Sequence, residues 1–194
     1  MSLLLESLYT SVIIIDVQPA YDKYCSKVAY RLMEFLNNRT GPVIAFYNGE
    51  DMGLDSAHSV GDYYLEHGID EDIFQDIDFR EKTYAFFRNW MDKGMDRNDL
   101  IVAIRHMVMK RINDSREIST EEWEEVYGNR WHVVEDIIGY SEDMITLPDI
   151  SIGELRKYNG CYLCGGGKDE CLSEFRLILE AFNIKYKLMK DFIY

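Results

Sequence analysis

The stretch SVIIIDV, from Ser11 to Val17, is a short apolar run in which polar residues do not alternate with apolar ones. Its β-branched residues are typical of a central strand that is buried on both faces of a parallel sheet. Pro19 suits the first turn of a following helix. From Tyr21 to Phe35 the apolar residues recur at steps of three and four, and this spacing predicts an amphipathic helix.

A second apolar run, 42–47, ends at Asn48 and Gly49, so the chain up to this point should form a β-α-β unit. The same patterns predict helices near 55–67, over 99–112 and over 172–182, and strands near 77–80, 144–148, 161–164 and 184–189. Strands that alternate with helices imply an α/β fold, a three-layer α/β/α sandwich with a mostly parallel central sheet. Ligands bind at the carboxyl ends of such strands, where Asp16 and the turn 165–171 lie.

The composition narrows the classes of function. The 194 residues fit a single domain, and 21 Lys and Arg against 35 Asp and Glu give a net charge of −14. That charge argues against nucleic acid and anionic membranes as partners. The apolar runs are far shorter than the ~20 residues that cross a bilayer, and the opening MSLLLES does not resemble a signal peptide. Four cysteines are too few for a disulfide scaffold and favour a reducing cytoplasm.

The glycine turn Gly165–Gly167 leads from a predicted strand to Cys171. Asp169 is a natural N-cap, which would place Cys171 in the first turn of a helix. There the backbone N–H groups and the helix dipole favour a thiolate and should lower the pKa of the thiol. The glycines also allow a ligand to approach backbone donors that could form an oxyanion hole. The alternative is a plain glycine-rich turn beside a small buried thiol.

Two segments resemble motifs of the isochorismatase-like cysteine hydrolases. The first, IIIDVQPAY from Ile13 to Tyr21, resembles the strand-one motif of that family, an apolar run followed by D-x-Q and an aromatic residue. The second, 164–172, resembles its nucleophile turn, G-x-x-T-D-x-C-V. The matching positions are Gly165, Asp169, Cys171 and Leu172, and Lys168 replaces the usual Thr. The resemblance covers roughly 9–50 and 158–190.

The resemblance implies a hydrolase in which Cys171 attacks an amide or related bond of a small molecule and Asp16 acts as the general base. A lysine completes the triad in that family, and Lys82 fits because it ends a predicted strand before an aromatic segment. An alternative alignment places 145–148 on that strand and puts Leu147 in the position of the lysine. The first alignment makes about 96–139 a helical insertion within one domain, 1–194, as a lid or an oligomer contact.

Further positions are expected to contact the substrate. They are Gln18, Tyr21, Phe86, Gly166, Gly167 and Lys168. For Phe86 and the aromatic residues after it, core packing or a subunit contact is the favoured interpretation, and a wall for a flat substrate is the alternative. Arg88 would bind a substrate carboxylate or form a plain salt bridge. No cofactor is expected, and no metal either, because Glu50 and Asp51 are followed by a lone His58 where the nicotinamidase branch has a metal site.

These features favour a cytoplasmic, homo-oligomeric cysteine hydrolase that acts on a small molecule. A second interpretation is a binding or assembly protein that kept the fold and lost the chemistry, as Lys168 in place of Thr and the long insertion suggest. A third is a regulator that binds a nucleotide-like ligand at the glycine turn.

Overall fold

The described residues of the computed structural model, 9–50, 53–82, 87–112, 115–139 and 148–194, contain a single sheet of five parallel strands. The strands are β1 (Val12–Ile15), β2 (Val43–Asn48), β3 (Ile77–Lys82), β4 (Cys161–Gly165) and β5 (Tyr186–Leu188). Their order across the sheet is β3-β2-β1-β4-β5, and every neighbouring pair is parallel. The predicted α/β class and parallel sheet are therefore confirmed.

β1 lies at the centre of the sheet, between β2 and β4. Its last residue, Ile15, pairs with Phe46 on one side and with Gly165 on the other. All four residues of β1 are completely buried, because helices cover both faces of the sheet. This explains why the sequence is apolar at every position here, where a half-exposed strand would alternate.

Helices surround the sheet on both faces. Within the described residues they are α1 (Asp22–Leu36), α2 (Ala57–Glu66), α3 (Glu71–Phe74), α4 (Phe87–Asp92), α5 (Arg97–Lys110), α6 (Thr120–Tyr127), α7 (Trp131–Gly139), α8 (Ile152–Leu155) and α9 (Cys171–Ala181). Single 3-10 turns lie at Pro19–Tyr21, Ser115–Glu117, Gly128–Arg130, Arg156–Tyr158 and Lys190–Phe192. No helix in these ranges combines the length and apolar character needed to cross a membrane.

The two faces of β1 contribute to two separate apolar cores. Val12 and Ile14 pack with the buried faces of α1 and α2. Ile13 and Ile15 pack with residues from α4 to α9. The sheet is thus the middle layer of a three-layer sandwich, and the alternation of side chains along β1 assigns each residue to one core.

The helices α5, α6 and α7 occupy the segment that the sequence predicts as an insertion. Asp96 and Ser119 cap the first two, and their buried residues belong to the same core as Ile13 and Ile15. They therefore extend one helical layer of the sandwich. That 96–139 is an insertion relative to a family stays a prediction.

The strand predicted near 144–148 is not found where it can be examined. Residues 140–147, Leu147 among them, lie outside the described residues, and Pro148 belongs to no strand. The chain returns to the sheet edge at Asp149, whose backbone N–H donates to the carbonyl of Glu81 in β3 (2.9 Å). In the described sheet, β3 is the strand that carries a lysine at its carboxyl end, Lys82.

The chain changes direction across the sheet between β1 and β4. From β1 it proceeds outward to β2 and β3, and it returns to add β4 and β5 on the opposite side of β1. Where successive connections diverge in this way, a crevice opens at the carboxyl ends of the two strands, which is the usual ligand site of open parallel sheets. Asp16 and the turn that begins at Gly165 flank that crevice.

Gly165 lies close to the backbone of β1. Its φ is +77°, and a Cβ at this position would lie 2.2 Å from the backbone oxygen of Ile15. Only glycine satisfies both the left-handed conformation and this approach without displacing β1.

We expect Gly165→Ala to lower the free energy of unfolding by roughly 3 kcal/mol, because a backbone clash adds to the conformational cost. Gly160→Ala is the matched control, since its φ is +89° but nothing lies within 4 Å of the added Cβ. In this control variant the free energy of unfolding should fall by only about 1 kcal/mol. Urea unfolding measures both, and equal losses would contradict the close approach.

Candidate functional site

Asp16 immediately follows β1 and is completely buried. Its φ of +54° lies in the left-handed region, which residues other than glycine rarely adopt. Its backbone N–H donates to the carbonyl of Phe46 (2.8 Å), and its own carbonyl accepts from the hydroxyl of Tyr194 (2.7 Å). These bonds hold the residue from both sides in this uncommon conformation.

Lys82, the last residue of β3, reaches across the end of β2 to Asp16. Its Nζ lies 2.8 Å from Oδ2 of Asp16 and donates to Oδ1 of Asn48 (3.1 Å). Lys82 is only 6% exposed. Among the described residues, neither carboxylate oxygen of Asp16 accepts a hydrogen bond of good geometry, although the Cys171 thiol interacts with this carboxylate. The Lys82 ammonium therefore supplies the positive charge that a buried carboxylate requires.

Asn48 holds this lysine from the middle strand. It is paired in register with Lys82 and ends β2. Its Nδ2 donates to the hydroxyl of Tyr21 (2.9 Å), while its Oδ1 accepts from the lysine. The sequence interpretation treated Asn48 only as a strand stop, although a polar residue at the end of a buried strand is a signal that could have identified it.

Gln18 is completely buried beneath the site, and its amide is bonded within the protein. Oε1 accepts from the backbone N–H of Asn48 (2.8 Å), and Nε2 donates to the Asn48 carbonyl (3.2 Å) and to Oδ2 of Asp55 (2.7 Å). Gln18 thereby joins the end of β1 to the end of β2. This arrangement favours a positioning role for Gln18, and the substrate contact stays a prediction.

Cys171 is the first residue of α9, at the carboxyl end of β4 beyond the glycine turn. The helix begins one residue later than predicted: Glu170 occupies the N-cap position, and the prediction that Asp169 does so is wrong. Asp169 belongs to the preceding turn, where its carbonyl accepts a hydrogen bond from Arg88. Among the described residues, no acceptor bonds the backbone N–H of Cys171, as is usual at a helix start.

The pKa of the Cys171 thiol is raised to about 12, and the predicted lowering is wrong. Burial is the largest cause, the negative charge of Asp16 is the next, and the Lys82 ammonium offsets part of the rise. Desolvation and a neighbouring carboxylate both disfavour a thiolate. The unbonded backbone N–H of Cys171 at the start of α9 does not reverse this, so the resting site holds a thiol beside an ion pair.

The other cysteines lie deeper in the protein. Cys25, Cys161 and Cys164 are buried, whereas Cys171 is partly exposed, and all of them are free thiols. Burial raises the pKa of Cys25, and it raises that of Cys161 to about 12. Cys164 points to the Ile13 carbonyl within the sheet (3.7 Å). Cys171 lines a cavity.

The cavity above Cys171 has a volume of about 600 Å³. It is lined by Tyr21, Lys23, Tyr24, Gly167, Glu170, Cys171 and Tyr194. The predicted contacts Tyr21 and Gly167 thus lie on its wall. Tyr194 was missed, and nothing in the local sequence identifies it, because it lies 178 positions from the Asp16 carbonyl that it contacts.

The remaining predicted substrate contacts have different locations. Gly166 is buried and adopts a φ of +60° next to Leu172, behind the cavity wall. Lys168 is exposed and does not line the cavity, and its backbone N–H donates to the Tyr194 carbonyl (3.2 Å). Phe86 lies outside the described residues.

The aromatic residues after Phe86 belong to the core. Phe87 and Trp90 are completely buried in the same apolar cluster as Ile13, so the favoured interpretation, core packing, holds for these two and the substrate wall does not. Their burial against the sheet decides this, since α4 turns them inward. Arg88 forms a salt bridge, the simpler of its two interpretations, with Glu174 (3.2 Å).

Glu174 is a buried carboxylate one turn after Cys171. Its Oε1 accepts from both Nε and the backbone N–H of Arg88, while among the described residues Oε2 has no hydrogen-bond partner. Burial raises the pKa of Glu174 to about 7, although Arg88 opposes the rise. This carboxylate connects the start of α4 to the helix that carries the nucleophile candidate.

No protein-family model matches this chain, and no curated protein or solved structure matches it either. The resemblance to the isochorismatase-like hydrolases therefore stays a prediction that rests on the two motifs. Within the described ranges, no three His, Cys, Asp or Glu side chains converge where they could bind a metal ion.

The raised pKa of Glu174 predicts a specific pH dependence of stability. The unfolded carboxyl ionises near pH 4.5 and the folded one near 7, so the folded state binds the extra proton in between. Stability should therefore fall as pH rises through this window, by about 3 kcal/mol from this group. Glu174→Gln cannot ionise and should remove that fall, whereas Glu180→Gln on the same helix should retain it.

Urea unfolding at several pH values between 4 and 8 measures this difference for the wild type and both variants. A Glu174→Gln protein with the same pH slope as the wild type would contradict the assignment.

Proposed function

We propose that this chain is a cysteine hydrolase, with Cys171 as nucleophile, Asp16 as general base and Lys82 as the cation that supports both. The observation that carries the proposal is the convergence of a buried Asp16–Lys82 ion pair (2.8 Å) on a thiol at the floor of a cavity. These groups come from the ends of β1 and β3 and from the start of α9. A nucleophile beside a base that a third group holds in place is the arrangement that nucleophilic catalysis requires.

The raised thiol pKa defines how the first step proceeds. The thiolate is scarce before the substrate binds, so the proton of Cys171 passes to the Asp16 carboxylate as Sγ forms a bond to the substrate carbonyl carbon. The protonated Asp16 then gives this proton to the departing amine, and a thioester remains on Cys171. In the second step Asp16 takes a proton from water as the water oxygen attacks the thioester carbonyl carbon. The bond between that carbon and Sγ then breaks, the acid product leaves, and Asp16 returns the proton to Sγ, which restores the free thiol.

Lys82 stabilises the negative charge of this cycle, both on Asp16 and on Cys171. Its ammonium compensates Asp16 in the resting state and lowers the pKa of Cys171. In a buried site such charge interactions are much stronger than in water. The backbone N–H of Cys171 is available to the oxygen that becomes negative in the tetrahedral intermediate.

The cavity fits a small molecule. Its volume of about 600 Å³ lies in the range typical of small-molecule sites, and tyrosines form much of its wall. The substrate class proposed is a small amide or a related acyl compound. The net charge of −14 supports the further proposal that nucleic acid is not a partner.

The cellular location and the oligomeric state of the protein are also proposals. All of the cysteines are free, which supports a reducing compartment such as the cytoplasm. Exposed apolar side chains on the helices of 97–139, with Met109 at 71% and Val133 at 52% exposure, support a homo-oligomer. Sedimentation velocity would determine the oligomeric state.

Charge-changing variants test the nucleophile and its neighbours without a known substrate. At pH 9, Asp16→Asn should speed the alkylation of Cys171 by iodoacetamide about tenfold, because loss of the carboxylate lowers the thiol pKa by about one unit. Lys82→Met should slow it, because the cation that favours the thiolate is lost. Mass spectrometry of the Cys171 peptide measures both rates, and circular dichroism verifies the fold of each variant.

Rates that change in the same direction for both variants would contradict the proposed electrostatics. Cys171→Ala provides the background labelling of the other thiols.

A second experiment tests the chemistry itself. The wild type should be acylated by p-nitrophenyl acetate at Cys171 and should then release the acyl group. The Asp16→Asn variant should be acylated at least about a hundredfold more slowly. Release of p-nitrophenolate and intact mass measure these steps, with Cys171→Ala as the control.

The raised thiol pKa favours one further candidate, a binding protein with an inert cysteine. It predicts wild-type acylation no faster than that of the Cys171→Ala protein, together with unchanged ligand binding in that variant.

A further inference from the structure

Tyr194 contacts both halves of the candidate site. Its hydroxyl donates to the backbone carbonyl of Asp16 (2.7 Å). Its backbone N–H donates to the carbonyl of Gly166 (3.4 Å), and its carbonyl accepts from the backbone N–H of Lys168 (3.2 Å). The first bond reaches the residue proposed as the base, and the others bracket the turn that leads to Cys171.

We infer that Tyr194 is a positioning residue that fixes the Asp16 carboxylate relative to the Cys171 thiol. This inference rests on the proposed function, since it assigns the residue that sets the geometry of the base and the nucleophile. The ring of Tyr194 also lines the cavity. One residue therefore joins the two motifs and borders the space for the substrate.

The conformation of Asp16 explains why such support is needed. Its φ of +54° is one that a residue with a Cβ adopts at a cost, and it persists only where neighbours hold it. The Phe46 carbonyl holds the N–H side of Asp16, and the Tyr194 hydroxyl holds the carbonyl side. Without the hydroxyl, the peptide after Asp16 can rotate, and the carboxylate moves with it.

The hydroxyl of Tyr194 carries the proton that this hydrogen bond requires. Burial and the nearby Asp16 charge raise the pKa of Tyr194, so the phenol keeps its proton at neutral pH. The segment that carries it is anchored elsewhere: the ring of Phe192 packs on Phe35 of α1 (5.4 Å between centroids). The Met189 backbone N–H also donates to the Leu163 carbonyl in β4 (3.0 Å).

The variant Tyr194→Phe removes the hydroxyl and keeps the ring on the cavity wall. We expect iodoacetamide to alkylate Cys171 about threefold to tenfold faster at pH 9, since the displaced Asp16 charge raises the thiol pKa less. The same change should slow acylation by p-nitrophenyl acetate at saturation about threefold to tenfold, with little change in the half-saturating concentration. Tyr186→Phe is the control, because its hydroxyl bonds Arg176 and Glu180 on α9.

A double-variant cycle shows whether Tyr194 acts through Asp16. In the Asp16→Asn background, Tyr194→Phe should leave the alkylation rate of Cys171 unchanged, because the charge that it positions is absent. A Tyr194→Phe protein that reacts like the wild type would overturn the inference, as would an effect that persists in the Asp16→Asn background. If Asp16→Asn alone leaves the alkylation rate unchanged, the nucleophile–base pair of the proposed function fails instead.

Discussion

The buried ion pair between Asp16 and Lys82 is the interaction on which the rest of the site depends. A carboxylate that is completely buried is strongly destabilising unless a cation lies against it, and Lys82 is that cation at 2.8 Å. The pair spans the end of β2, so it forms only if β3, β2 and β1 are adjacent, parallel and in the observed register. The strand order and the electrostatics of the site therefore support each other.

The same burial sets the state of the thiol. Exclusion of water strengthens the Asp16–Lys82 attraction, yet it also disfavours a second negative charge beside Asp16, and the pKa of Cys171 rises to about 12. A helix start alone would have favoured a thiolate. The resting site therefore holds a protonated thiol near the Asp16 carboxylate, and deprotonation of Cys171 has to accompany its attack on a substrate.

The sequence was most informative where a pattern is local. The unbroken apolar run of β1 predicted the central strand, and the glycine turn predicted the positive φ of Gly165 and Gly166. Burial on both faces and a positive φ each restrict which residues a position accepts. Lys82 was predicted from the family resemblance, because it lies between a predicted strand and an aromatic segment. Asn48 could have been identified as a polar residue at a strand end, but its contact with Lys82 could not, since that depends on strand register. The contact of Tyr194 with Asp16 could not be predicted either, since these residues meet only in the folded chain. The direction of the pKa shift of Cys171 was predicted wrongly for the same reason, because the burial of the thiol depends on the whole fold.

The residues proposed for the chemistry and the residues that line the cavity come largely from different elements, and this bears on substrate selection. The groups proposed for the chemistry come from strand ends and the start of α9, whereas much of the cavity wall comes from α1 and from Tyr194. Tyr24 and Lys23 on α1 are exposed at this wall, and neither belongs to the Asp16–Lys82 ion pair. Changes at these two positions can therefore alter which small molecule fits without disturbing Asp16 or Lys82. Tyr194 is different, because it lines the cavity and its hydroxyl also bonds the Asp16 carbonyl. A change at Tyr194 would therefore affect both which substrate fits and how the proposed base is positioned.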